Sequence, residues 1–125
     1  MAAPRVFGYV RVGSRHKARV ERWRQRIADY CRQEGLALEL VFADRGVNGG
    51  ELVRPGWTAL LDVLNPKDAQ MVVIPADNHL SPDQVFQADM RAQLAAAGAM
   101  ALVMPARARA VVVESNTEGR SWING

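Results

Sequence analysis

The chain has 125 residues, 49% hydrophobic and 23% charged, with 16 Lys and Arg against 13 Asp and Glu for a formal charge of +3. Those values fit one globular domain with its own core and exclude collagen, coiled coil and disorder as whole-chain descriptions. No apolar run approaches the roughly 18 residues of a membrane span, no secretory signal is expected at the start, and the single Cys31 allows no internal disulfide. A cytoplasmic, reducing location without a membrane partner is the expectation.

Charge is unevenly spread. Residues 1–35 hold nine basic side chains against three acidic ones, whereas the remainder holds seven basic and ten acidic. A basic N-terminal third suits a polyanion, because each neutralised phosphate releases counterions. A solvated helix face on an arginine-rich protein accounts for the same pattern equally well.

Hydrophobic period assigns the elements. Residues 5–12 alternate around Val6, Gly8, Val10 and Val12 and predict a first strand. Residues 17–34 carry Val20, Trp23, Ile27, Tyr30 and Cys31 at helical spacing, and Gly35 is placed for a left-handed cap. Residues 36–43 predict a second strand and 44–54 a loop containing Gly46, Asn48, Gly49 and Gly50. Pro55 opens a short helix with Trp57, Leu60, Leu61 and Leu64 on its apolar side, stopped by Asn65-Pro66. Residues 71–74 predict a buried strand. Ser81-Pro82-Asp83-Gln84 predicts a helix start with Ser81 as cap, running to about Ala97 and packing through Phe86, Met90 and Leu94. Residues 99–104 predict a fourth strand and Val111 to Val113 a weaker fifth.

Strands alternating with helices imply an α/β fold: a single domain with a mostly parallel sheet, helices on both faces and right-handed crossovers. The domain is expected over residues 1–105, with 106–125 an irregular tail or short strand. Trp23 and Trp57 are expected in the core. Trp122 and Ile123 are expected to dock on the domain or on a partner chain.

Ligands of open α/β sheets gather at the carboxyl ends of the strands. The loops there offer Arg11, Ser14, Arg15, His16 and Lys17, then Asp44, Arg45, Asn48 and Arg54, then Asp77, Asn78, His79 and Ser81. Converging guanidinium groups match phosphate oxygens two at a time. Two His and one Cys are too few and too scattered for zinc. Asn48-Gly49-Gly50 lacks the Gly-Lys-Ser/Thr of a phosphate-cradling loop, and no dinucleotide spacing is present. No cofactor or metal is expected.

Several motifs in order then resemble one family. Tyr9-Val10-Arg11-Val12, Tyr30-Cys31-Arg32-Gln33-Glu34-Gly35, Asp44-Arg45-Gly46-Val47-Asn48-Gly49 with Arg54-Pro55-Gly56, and residues 71–81 are similar to the catalytic domain of serine recombinases, the resolvases and invertases. The resemblance spans roughly residues 6–104. It implies the resolvase-type catalytic fold, and it implies phosphate-binding roles for Arg11 and Arg54. The family's nucleophilic serine, two residues after that first arginine, falls on Gly13, with Ser14 one residue further. Its Asp-Arg pair falls on Asn78 and His79, and a further arginine falls on Pro82. His79 is thereby a third phosphate-binding candidate.

These replacements bear on chemistry. Glycine offers no oxygen to phosphorus, and losing a covalent nucleophile costs on the order of a millionfold in turnover. The resemblance therefore implies a recombinase-like domain that has lost strand cleavage and binds or regulates, through the DNA phosphate backbone or by associating with itself or an active recombinase. Arg15, Lys17, Arg19 and Arg22 are the DNA-contact candidates. Two alternatives stand beside this: an active site-specific recombinase using Ser14 as a shifted nucleophile, and an unrelated α/β partner-binding module. The family's long dimerising helix and separate DNA-binding domain have no counterpart motif here.

Overall fold

A computed structural model describes residues 3–106, except 14, 49, 51, 52 and 69. The elements follow in the order β1 (Arg5–Val12), α1 (Lys17–Gln33), β2 (Ala37–Arg45), α2 (Pro55–Val63), β3 (Gln70–Ile74), a single 3-10 turn (Asp77–His79), α3 (Gln84–Ala96) and β4 (Ala99–Val103). All strand pairs are parallel, and the sheet order is β2-β1-β3-β4. Val111 to Val113, Trp122 and Ile123 lie outside the described residues.

The strand alternation sorts residues to two layers, as a period of two requires. Tyr9, Val72 and Ile74 point to one face, where α2 brings Trp57 and Leu60 and α3 brings Met90 and Leu94. Val6, Val10, Val12, Val41 and Val73 point to the other, beneath Val20, Ile27 and Cys31 of α1. Each large side chain so buried stabilises by about 1.5–3 kcal/mol relative to exposure.

Three expectations need correction. The N-cap of α3 is Asp83, not Ser81: its carboxylate accepts from the N–H groups of Val85 at 2.8 Å and Phe86 at 3.3 Å. A carboxylate at the positive end of a helix outcompetes a hydroxyl, and Ser81 Oγ instead accepts from Asp83 N at 3.0 Å. Trp23 is only half-buried, whereas the neighbouring Arg26 is 6% exposed with its guanidinium 4.7 Å above the Trp23 ring. Arginine can cover apolar surface with its stem, which residue-type patterning misses. β2 also runs two residues past Ala43, because Asp44 and Arg45 stay in register with Arg11 and Val12 of β1.

The ends of α1 and α2 are set by backbone chemistry. Gly35 adopts φ of 71° just beyond α1, the left-handed position where Cβ is penalised. Gly56, in the first turn of α2, lies so close to β2 that a Cβ there would be 2.5 Å from the Ala43 carbonyl oxygen.

Candidate functional site

β1 outruns its neighbour. It pairs with β3 only from Val6 to Gly8, so its last residues stand beside the chain that leaves β3. A buried strand N–H still needs an acceptor. Arg11 finds one in a side chain: its N–H donates to His79 Nδ1 at 3.2 Å. The Asp77–His79 turn therefore closes on the carboxyl end of β1.

The Arg11 side chain fastens the same junction. Nη1 donates to the Val47 carbonyl at 3.1 Å and Nη2 to the Asn78 carbonyl at 2.6 Å. Nε is buried with no hydrogen-bond partner among the described residues. Burial, and then the charge of Arg54, lower the Arg11 pKa, while Tyr9 acts in the opposite direction. Arginine stays protonated in proteins, so the shift expresses a cation held away from water near another cation.

His79 is 6% exposed and packs edge-to-face on Trp23 of α1, with ring centroids 4.9 Å apart. Beside this pair opens a depression of about 280 Å³ lined by Arg11, Gly13, Arg19, Trp23, Asn78 and His79. Gly13 is exposed on its rim, and a Cβ there would meet nothing within 4 Å. Ser14 lies outside the described residues.

Arg54 sits behind the depression instead of lining it. It is 4% exposed, and its Nη1 donates to the Leu80 carbonyl and to Met90 Sδ, the latter at 3.4 Å. Next to it, Tyr9 donates its hydroxyl to Asp44 Oδ2 at 2.8 Å. Burial first, and then Asp44, raise the Tyr9 pKa.

Asp44 organises more than sequence reading assigned to it. Its carboxylate also accepts from Gly56 N at 2.7 Å and Trp57 N at 3.0 Å. It thus supplies the cap that Arg54, whose side chain is at the N-cap position but makes no capping bond, does not give α2. The available signal was that weak cap: a helix opening on Arg-Pro-Gly needs an acceptor from elsewhere in the chain.

The four basic candidates separate. Arg15, Lys17, Arg19 and Arg22 are all exposed. Arg19 lines the depression, and Arg22 lies close enough to Arg26 to lower its pKa, after burial has done so. At about 100° per residue, Arg19 and Arg22 share a flank of α1 with Trp23 and Arg26, and Lys17 points roughly 120° or more away. Arg15 lies on the β2 side, its carbonyl accepting from Arg45 Nη1 at 3.3 Å and its side chain against Gly46. The fold gathers Arg11, Gly13, Arg19 and His79 at one opening and leaves Arg54 behind it. Pro82 is exposed ahead of α3.

Among the described residues, no helix is long and apolar enough to cross a membrane. No curated protein matches the sequence. The fold is shared with solved serine recombinase domains at low identity. The C-terminal catalytic domain of ISC1926 TnpA, an IS607-like serine recombinase, superposes with a TM-score of 0.68 at 19% identity, over 90% of this chain and 79% of that one. The N-terminal catalytic domain of TP901-1 integrase gives 0.71 at 16% identity, over 87% and 89%. A serine recombinase from Sulfolobus solfataricus gives 0.57 at 18% identity, over 90% and 79%. The sequence itself matches the family described as "Resolvase, N terminal domain" over residues 6–120, which removes the unrelated α/β module. This chain belongs to the resolvase family of serine recombinases.

Proposed function

We propose that this domain has given up strand cleavage and works by binding: it holds the phosphate backbone of DNA, and it regulates by associating with its own copies or with an active recombinase. One observation carries the reading. At the position that matches the family's nucleophile stands Gly13, in open space and without an oxygen. Arg11, the matching arginine of β1, has both Nη atoms committed to the Val47 and Asn78 carbonyls, and the matching Arg54 is buried. Each donor missing from a developing oxyanion costs roughly 3–4 kcal/mol beyond the loss of the nucleophile.

DNA contact falls to α1. Arg19 and Arg22 present charge on the flank beside the depression, and the exposed Arg15 and Lys17 carry charge away from that flank, at and before the start of α1. Contacts of this kind fix position without reading sequence. Gel-shift titration of a duplex at several salt concentrations tests the reading. Converting Arg15, Lys17, Arg19 and Arg22 to Ala is expected to weaken binding and flatten its salt slope. Unchanged affinity would remove it.

The competing reading keeps catalysis and moves the nucleophile to Ser14. It leaves Asn78, His79 and Pro82 where the family has an aspartate and two arginines. A covalent adduct through Ser14 on a suicide substrate would establish it.

A further inference from the structure

Arg11 carries a full charge, yet its guanidinium is held by neutral groups. Nη1 donates to the Val47 carbonyl, Nη2 to the Asn78 carbonyl, and Nε is buried without a partner among the described residues. A guanidinium binds an anionic oxygen about twice as strongly as a neutral one. An anion able to reach this group therefore displaces a carbonyl.

The Asn78 carbonyl is the one placed to leave. It belongs to a turn of only three residues, Asn78 is exposed, and the depression of about 280 Å³ opens directly beside it. Leu80 anchors the following chain, fully buried in the core between the sheet and α2 and α3. His79 fixes the near side twice, accepting the Arg11 N–H at 3.2 Å and packing on Trp23.

We propose that the Asp77–His79 turn is a self-supplied plug in an anion site. The Asn78 carbonyl occupies the place at Arg11 Nη2 that a phosphate oxygen takes when the turn withdraws, and His79 latches the turn shut. This rests on the reading above that the domain holds phosphate, and it adds a second, regulated anion site at Arg11. Affinity is reduced by the fraction of molecules in which the turn is open, so weakening the latch raises it.

The test is titration of the full chain, labelled with 15N, with inorganic phosphate, read on the Arg11 Nε–H and the Asn78 and His79 amides. His79→Ala is expected to tighten phosphate binding about fivefold to tenfold, the worth of one released hydrogen bond. Trp23→Leu, which leaves the Arg11 N–H to His79 Nδ1 bond in place, is expected to tighten it less. His79→Asn, whose Oδ1 accepts in place of Nδ1 but which lacks the ring, is expected to tighten it no more than Trp23→Leu does, and Arg11→Gln to abolish the response. The proposal is overturned if neither His79→Ala nor Trp23→Leu tightens binding while the turn's amides exchange faster, or if the response survives Arg11→Gln. Should duplex DNA fail to bind while phosphate still reports on Arg11 as described, the DNA reading falls and the plug stands. Should duplex bind and the latch variants leave phosphate affinity unchanged, the plug alone falls.

Discussion

The Tyr9 hydroxyl donates to Asp44 Oδ2 at 2.8 Å, joining the middle of β1 to the end of β2 at the point where α2 begins. The same carboxylate caps α2 through Gly56 and Trp57. Removing the two partners therefore has unequal effects. Tyr9→Phe deletes one buried hydrogen bond and is expected to cost about 1–2 kcal/mol. Asp44→Ala strands a buried hydroxyl and two helix N–H groups and is expected to cost about 3 kcal/mol or more. Urea denaturation of both variants checks the order; equal losses would contradict it.

Two glycines make opposite predictions. A Cβ at Gly13 meets nothing within 4 Å, so Gly13→Ser is expected to change stability by no more than about 0.5 kcal/mol. A Cβ at Gly56 would lie 2.5 Å from backbone that cannot move aside without disturbing β2. Gly56→Ala is expected to cost about 2 kcal/mol or more, by strain and by loss of the Asp44 cap. Thermal unfolding of the pair separates the cases.

The layers were legible in the sequence and the junction was not. Alternation in β1, the Val20-Ile27-Cys31 stripe and the apolar run of β3 assign elements and faces, because burial selects side chains by period. The Asp44 cap and the Arg11–His79 bond join residues 12 and 68 positions apart. The second follows from the length mismatch between β1 and β3, and no local period encodes either. Arg26 shows a related limit: its charge suits the surface, yet it is buried with its guanidinium over the Trp23 ring.

Cys31 gives a pH prediction. It is 1% exposed, and burial pushes its thiol from 9.0 up to about 11. The unfolded chain releases this proton first. The stabilisation is therefore full below pH 9, falls as pH rises from there, and is lost by about pH 11, amounting to no more than about 3 kcal/mol. Cys31→Ala is expected to remove that part of the alkaline decline. The decline that remains belongs partly to Tyr9, whose pKa is also raised and whose contribution is likewise lost as pH increases beyond its ordinary value of 10.0. Denaturation midpoints between pH 7 and 11 for both proteins provide the check.

Arg54 and lysine are not interchangeable at their site. Arg54 Nη1 reaches the Leu80 carbonyl and Met90 Sδ within the core. A lysine there buries an ammonium with fewer directed donors, so Arg54→Lys is expected to destabilise by about 2–3 kcal/mol. A denaturation curve matching wild type would show that the buried guanidinium is dispensable.

Strand cleavage is the sharpest question. The decisive measurement is a denaturing gel of suicide duplexes incubated with the full chain, wild type and Ser14→Ala side by side. The binding account predicts no protein–DNA adduct from either. An adduct from wild type that vanishes in Ser14→Ala would contradict it.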